Sequence, residues 1–181
     1  MSRKFGEIRQ IAFVVRDIDT AMQYWTETLG IGPFFIKRKI EFSSFVYRGV
    51  SASSPTVSIA LANSGSMQIE LIEQHDDIPS IYKEFLDAGN QGLQHVSSWM
   101  THSDMMRRKQ ELLAQGVSIA QECVIASSGV NLVYFDTGNG GGRMIFEIAD
   151  LLEPGQLERI RNIVKAAQNW DGLEPVREVA V

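Results

Sequence analysis

The strongest constraint on this chain is that it says nearly the same thing twice. A strand run from Gln10 to Val15 leads into an amphipathic helix and then several strand runs, the last of which carries Gln68-Ile69-Glu70-Leu71-Ile72. A second pass opens on Gln94-His95-Val96-Ser97 and closes on Met144-Ile145-Phe146-Glu147-Ile148. Gln10 answers His95, and Glu70 answers Glu147. Each is a polar residue inside an apolar strand run. If the halves pack about a pseudo-twofold axis, all four side chains converge on one cavity.

At 181 residues the chain is long enough for one domain that buries close to 70% of its unfolded surface, so the duplication describes two halves of one domain. Residues 1–150 are expected to form that domain, with modules at about 8–75 and 93–150, and residues 151–181 to add a helix and a tail. A hydrophobic share of 44% with 22% charged residues is ordinary globular composition. The formal net charge of -5 gives no basic footprint, so nucleic acid is not an expected partner. The single cysteine, Cys123, cannot close an intramolecular disulfide and reads as a strand residue. The opening Met-Ser-Arg-Lys-Phe-Gly-Glu lacks the apolar core of a signal peptide, and no apolar stretch reaches membrane-spanning length. A cytoplasmic protein without membrane contact is the expectation.

Local patterns place the elements. Asp17 or Asp19 can cap a helix whose stripe is Ile18, Ala21, Met22, Trp25 and Leu29, with Gly30 as its stop. Strands are predicted around Phe34 to Ile40, Phe45 to Val50, Thr56 to Ala62 and Met67 to Glu73, from β-branched and aromatic enrichment between turn residues. A short helix follows from Pro79 to Leu86. The second half predicts a strand from Leu93 and a helix capped by Thr101 or Ser103 with Met105, Met106, Leu112 and Leu113 inward. Strands then run at Val117 to Ile125, Val130 to Phe135 and Arg143 to Ile148. Past Pro154-Gly155, the spacing of Leu157, Ile160, Val164 and Ala167 marks an added amphipathic helix whose apolar face needs a cover.

The four matched positions carry the chemistry. Imidazole nitrogen and carboxylate oxygens are donors for divalent zinc, iron, manganese, cobalt, nickel or magnesium, and Gln10 can add an amide oxygen. Carboxylates inside Ile-Glu-Leu and Phe-Glu-Ile are costly to bury unless a cation or donors compensate them. The competing reading has each glutamate on the water face of an alternating strand; their matched placement favours a site. Tyr47 and His75 are further candidates for the pocket wall. The Thr137 to Gly142 run is glycine-rich but precedes a strand and lacks a following Lys-Ser/Thr, so it reads as a pocket-edge loop and not a phosphate cradle.

These residues carry a resemblance. Gln-Ile-Ala-Phe-Val-Val-Arg-Asp-Ile-Asp-Thr-Ala near the start, Gly-Leu-Gln-His-Val at the centre, and the ends Ile-Glu-Leu-Ile and Phe-Glu-Ile resemble the glyoxalase/bleomycin-resistance, or vicinal oxygen chelate, superfamily over about residues 8 to 150. Within it the chain looks closest to the methylmalonyl-CoA epimerase-like branch. The resemblance implies an α+β fold in which two paired βαβββ modules form a curved mixed-sheet cup, and it implies a homodimer. It also implies His95, Glu70 and Glu147 as metal ligands, with Gln10 where the family usually has histidine. A metal there acts as Lewis acid on an enolate, with Glu147 as ligand and catalytic proton shuttle.

The activity implied is a metal-dependent isomerase or lyase acting on a small carboxylate or acyl thioester. A non-catalytic, ligand-sequestering protein is the alternative, favoured by Gln10 and by the lack of a carboxylate in Ser44-Phe45-Val46-Tyr47-Arg48, where epimerases place one. Extradiol dioxygenase chemistry wants two histidines on iron, and only His95 stands at a ligand position.

Overall fold

The computed structural model describes residues 2–138 and 144–179. Its strands are β1 (Gln10–Val14), β2 (Phe34–Ile40), β3 (Phe42–Tyr47), β4 (Val50–Ser51), β5 (Val57–Ser64), β6 (Met67–Gln74), β7 (Gly92–Trp99), β8 (Ser118–Ile125), β9 (Asn131–Asp136), β10 (Ile145–Ala149) and β11 (Val176–Glu178). The helices are α1 (Ile18–Gln23), α2 (Ile81–Asp87), α3 (His102–Ala114) and α4 (Pro154–Gln168).

All the strands join one curved, unclosed mixed sheet in the order β11-β2-β5-β6-β1-β7-β10-β9-β8-β3-β4. Each half repeats one local order, β1-β6-β5-β2 in the first and β7-β10-β9-β8 in the second. The halves meet where β1 and β7 pair antiparallel, with Gln10 opposite Ser97 and Ala12 opposite His95. A twofold between these strands exchanges Gln10 with His95 and Ala12 with Ser97. The parallel neighbours follow suit, because Glu70 stands beside Ala12 and Glu147 beside Ser97. The cup is therefore completed within one chain.

Alternation along the strands sorts the core into two faces. On the outer face, α1 covers Phe34, Ile36, Ile69 and Leu71, and α3 covers Val96, Phe135, Phe146 and Ile148. The inner face carries Ala12, Val14, Ile72, Tyr134 and Ile145, against which α2 packs through Ile81, Tyr82 and Leu86 and α4 through Ile160. Both faces of the central strands are thus covered, and all five residues of β10 are buried.

Asp17 caps α1 by accepting from the Thr20 amide, and Thr101 caps α3 by accepting from that of Asp104. Two predicted stripes need correction. The first helix continues as a π turn over Tyr24–Thr28; the extra residue in that turn rotates the stripe and leaves Leu29 45% exposed. In α3, Met105 and Leu112 are buried while Met106 and Leu113 face out, since residues one position off a seven-residue repeat lie about 100° around the helix.

The strand predicted from Phe45 to Val50 is broken. Arg48 and Gly49 both have positive φ and turn β3 into β4. Sequence alone also gave no sign that β3 leaves the first half. Lys39 has φ of 51°, β2 is irregular between Lys37 and Ile40, and the chain then crosses to pair with β8. The tail after α4, which shows no period, returns as β11 on the edge of β2. The glycine-rich run predicted as a pocket-edge loop falls largely on 139–143, outside the described residues.

Candidate active site

The inner face presents two adjacent cross-strand rows that carry the polar side chains. One row runs Glu70, Ala12, His95 across β6, β1 and β7, and the next runs Gln68, Gln10, Ser97, Glu147 and Tyr134 across β6, β1, β7, β10 and β9. His95, Glu147, Gln10 and Glu70 are 0%, 2%, 3% and 8% exposed. The reading in which the glutamates face water is thereby excluded.

The histidine is held in one tautomer. Gln94 donates its Nε2 to the Ile81 carbonyl at 3.3 Å, which turns its Oε1 toward His95 Nδ1 at 2.6 Å. An amide oxygen only accepts, so Nδ1 carries the proton and Nε2 keeps a bare lone pair. That Nε2 has no hydrogen-bond partner among the described residues. It faces Glu70 Oε2 at 3.5 Å and Glu147 Oε2 at 3.7 Å. Burial holds the His95 pKa below the usual imidazole value, against the opposing pull of Glu147.

Gln94 reaches inward next to an inward His95 because it is the extra residue at the register shift of β7 against β1, where Ala12 pairs with His95 but Phe13 with Leu93. The sequence carries no mark of this bulge. The other polar neighbours had a mark: Gln68 lies two residues before Glu70 and Ser97 two after His95, so a period of two puts each on the same face.

The carboxylates are unequal. Ser97 donates its hydroxyl to Glu147 Oε1 at 2.5 Å. Glu147 is pushed up by burial first; the His95 ring, Ser97 and Tyr134 pull it back, while the charge of Glu70 raises it further. Glu70 has no such help, and burial alone pushes it up to about 8.

Above this floor is a cavity of about 290 Å³, lined by Gln10, Gln68, Glu70 and Glu147 at its base, by apolar residues such as Phe35 and Leu61, and by Lys37 and Arg159. Gln10 donates its Nε2 to Gln68 Oε1 at 2.9 Å, and Gln68 Nε2 is buried with no hydrogen-bond partner among the described residues. α4 roofs the cavity through residues such as Gln156, Ile160 and Ile163, which answers what covers its apolar face.

Two predicted wall residues lie elsewhere. The Tyr47 hydroxyl donates to Glu84 Oε2 at 2.9 Å, and neither residue lines the cavity. His75 directly follows β6, with Nε2 2.7 Å from Ser58 Oγ, and does not line the cavity. Tyr47 sits on β3, which pairs with β8 beyond the second half, and His75 sits just past the end of β6; neither displacement shows in local pattern.

The donor chemistry suits a divalent cation. A bare imidazole lone pair facing two buried carboxylates is repulsive until a proton or cation lies between them. Among the described residues, however, no three His, Cys, Asp or Glu side chains are already drawn together as a coordination shell.

Residues 9–135 match the glyoxalase/bleomycin resistance protein/dioxygenase superfamily. The chain belongs to that superfamily. The matched stretch includes Gln10, Glu70 and His95 and stops before Glu147 and α4. Among solved structures, it is similar to a hypothetical protein from Bacillus halodurans C-125, with a TM-score of 0.56 and 18% identity over 79% of this chain and 92% of that one. Methylmalonyl-CoA epimerase from Mycobacterium tuberculosis gives 0.53 and 18%, over 82% and 90%. A variant of the Streptomyces coelicolor methylmalonyl-CoA epimerase, in complex with 2-nitronate-propionyl-CoA, gives 0.53 and 16%, over 80% and 94%. At these identities the likeness is one of fold. No curated protein sequence matches the chain.

Proposed function

We propose that this protein is a metal-dependent isomerase or lyase of its superfamily that forms an enolate from a small carboxylate or acyl thioester. The observation that carries the reading is the pair of buried carboxylates facing the unpartnered Nε2 of His95. His95, Glu70 and Glu147 are the residues that would hold a divalent ion, with the Gln10 amide oxygen as a further donor. Such an ion, when bound, supplies Lewis acidity toward a substrate oxygen.

The chain's own groups do the rest. Glu147 accepts the α-proton of the substrate, and its basicity is raised by burial and by Glu70, which brings a carboxylate nearer the range useful at neutral pH. Ser97 fixes one Glu147 oxygen and leaves the other toward His95. Gln68 Nε2, unpaired among the described residues, is positioned as a donor for a substrate oxygen, and α4 roofs the cavity above the floor. The likeness of fold to methylmalonyl-CoA epimerases makes an acyl-CoA thioester the first substrate class to try.

A second reading, a binding protein that sequesters an apolar ligand, draws support from the apolar upper wall and from the engagement of the Gln10 amide with Gln68. Proton exchange separates the two. Incubating the metal-loaded protein with acyl-CoA thioesters in heavy water should place deuterium at the α-carbon, and Glu147→Gln should reduce the rate by at least about 100-fold. Exchange at the wild-type rate in Glu147→Gln removes Glu147 as the base. No exchange with any thioester, together with tight binding of a planar apolar ligand, selects the second reading.

A further inference from the structure

Charge is distributed unevenly around the cavity, and one pair of cations has no counterpart. The chain is acidic overall, with 22 Asp and Glu against 17 Lys and Arg, and five of its ten described arginines pair with a carboxylate. Arg38 binds Asp19 and Glu178, Arg48 binds Glu84 and Asp136, and Arg107 binds Asp104 and Glu111. Lys37 and Arg159, which both line the cavity, meet no carboxylate among the described residues. Among the described residues the Lys37 ammonium makes one polar contact, donating to Ser127 Oγ at 3.4 Å.

The two cations also act on each other. Lys37 is held below its ordinary pKa first by burial and then by the charge of Arg159. Arg159 keeps much of its surface open to water, yet the protein around its guanidinium removes enough hydration to lower its pKa as well. Two like charges held at one cavity without a neutralising partner are unfavourable in the empty protein. An anion placed between them removes that cost, and guanidinium and ammonium groups are the donors that bind carboxylate and phosphate oxygens most strongly.

We infer that Lys37 and Arg159 form a subsite for an anionic group of the ligand, a carboxylate or a phosphate, whose reacting end lies toward Glu147. This rests on the reading of the cavity as a substrate site. It divides the cavity into an acidic floor and a basic wall, and orients the ligand between them. Arg159 comes from α4, outside the stretch that matches the superfamily. Specificity is thus assigned to a helix that follows the two repeated modules. Gln156 and Arg159 fall on the cavity side of α4 together with Ile160 and Ile163, as residues three and four apart on a helix do.

Calorimetric titration tests the subsite without requiring turnover. The probes are methylmalonate, coenzyme A and the neutral dimethyl ester of methylmalonate, each against wild type, Arg159→Ala, Arg159→Lys and Lys37→Gln. Wild type should bind at least one of the two anions. Arg159→Ala and Lys37→Gln should each weaken that binding roughly tenfold or more, as expected for loss of a hydrogen bond to a charged group. Arg159→Lys should recover part of the loss, while affinity for the ester stays the same in all four proteins.

An effect confined to methylmalonate identifies a substrate carboxylate as the bound group; an effect confined to coenzyme A identifies a carrier phosphate. Failure of wild type to bind either anion, or unchanged affinity in Arg159→Ala and Lys37→Gln, overturns the inference. Arg159 is exposed on α4, so Arg159→Ala should leave the fold intact, and unaltered thermal unfolding of that variant separates weakened binding from loss of folding. Anion binding that depends on Arg159 without deuterium exchange leaves the subsite standing and removes the enolate reading. Exchange that is indifferent to Arg159 does the reverse.

Discussion

Glu70 and Glu147 occupy equivalent places in the two halves, yet the hydroxyls beside Glu147 have no counterpart beside Glu70. Glu147 has Ser97 next to it on β7, and Ser97 donates to it. Glu70 has Ala12 at the matching position on β1, with nothing to donate. The duplicated scaffold therefore delivers two carboxylates to one cavity, and its neighbours, Ser97 and Tyr134 among them, make one a hydrogen-bonded base while the other is a carboxyl pushed up to about 8. Symmetry of backbone does not impose symmetry of chemistry. The same contrast holds at Gln10 and His95, where one half supplies an amide tied to Gln68 and the other an imidazole with a bare nitrogen.

The sharpest way to break the comparison is through the unequal ligands. His95→Ala should weaken binding of zinc or cobalt by more than about 100-fold, above the cost typical of losing a supporting neighbour of a ligand, whereas Gln10→Ala should cost only a few-fold. Gln10→His, which makes the halves alike, should tighten zinc by about tenfold, imidazole being the better donor for that metal. Equal losses from His95→Ala and Gln10→Ala in a metal titration would show that the halves contribute alike.

The carboxylates can be equalised next. In the metal-free protein Glu70 titrates near 8 against 4.5 for an ordinary glutamate, so between these values the folded state holds a proton that the unfolded state has released. Stability is then greatest below about 4.5 as far as this group is concerned, and falls as pH rises through about 8. Glu70→Gln should flatten that part of the profile. Ala12→Ser should give Glu70 the donor that Glu147 has and lower its pKa by about one unit, or about 1.4 kcal/mol. Carboxyl carbon chemical shifts followed through a pH titration read both values, and an unmoved Glu70 in Ala12→Ser would sink the hydroxyl account.

The smallest effect concerns the helices that cover the two halves from outside. Asp17 accepts from the Thr20 amide at 2.8 Å, while Thr101 accepts from that of Asp104 at 3.3 Å. Asp17→Ala should cost about 1 kcal/mol in urea unfolding and Thr101→Ala less than that. The reverse order would mean that the short α1 is held by packing of Ile18 and Met22 and not by its cap.

Much of the fold could be read locally. The ends of β2 and β6 agree with the predicted runs to within a residue, because alternation and turn residues act over a few neighbours. Leu29 misled because a π turn changes the period in mid-helix, and Val50 because an Arg48-Gly49 turn has none of the usual asparagine or aspartate signals. In the cavity, Glu70, His95 and Glu147 were visible as polar intrusions in apolar strands. Gln94 was not, since a bulge is a property of two paired strands and cannot be seen in either alone.

The sequence by itself determined the duplication, the identity of most elements, and which four polar residues would share a face. These depend on periodicity, and periodicity is a short-range property of the chain. Only the tertiary structure decided that β3 would cross to β8, that Tyr47 and His75 would lie away from the cavity, and that α4 would close it with Arg159 beside Lys37. Those outcomes join segments as far apart as β2 and α4. They are set by which surfaces bury one another best, and a pattern read along a single segment holds no information about the surface that will cover it.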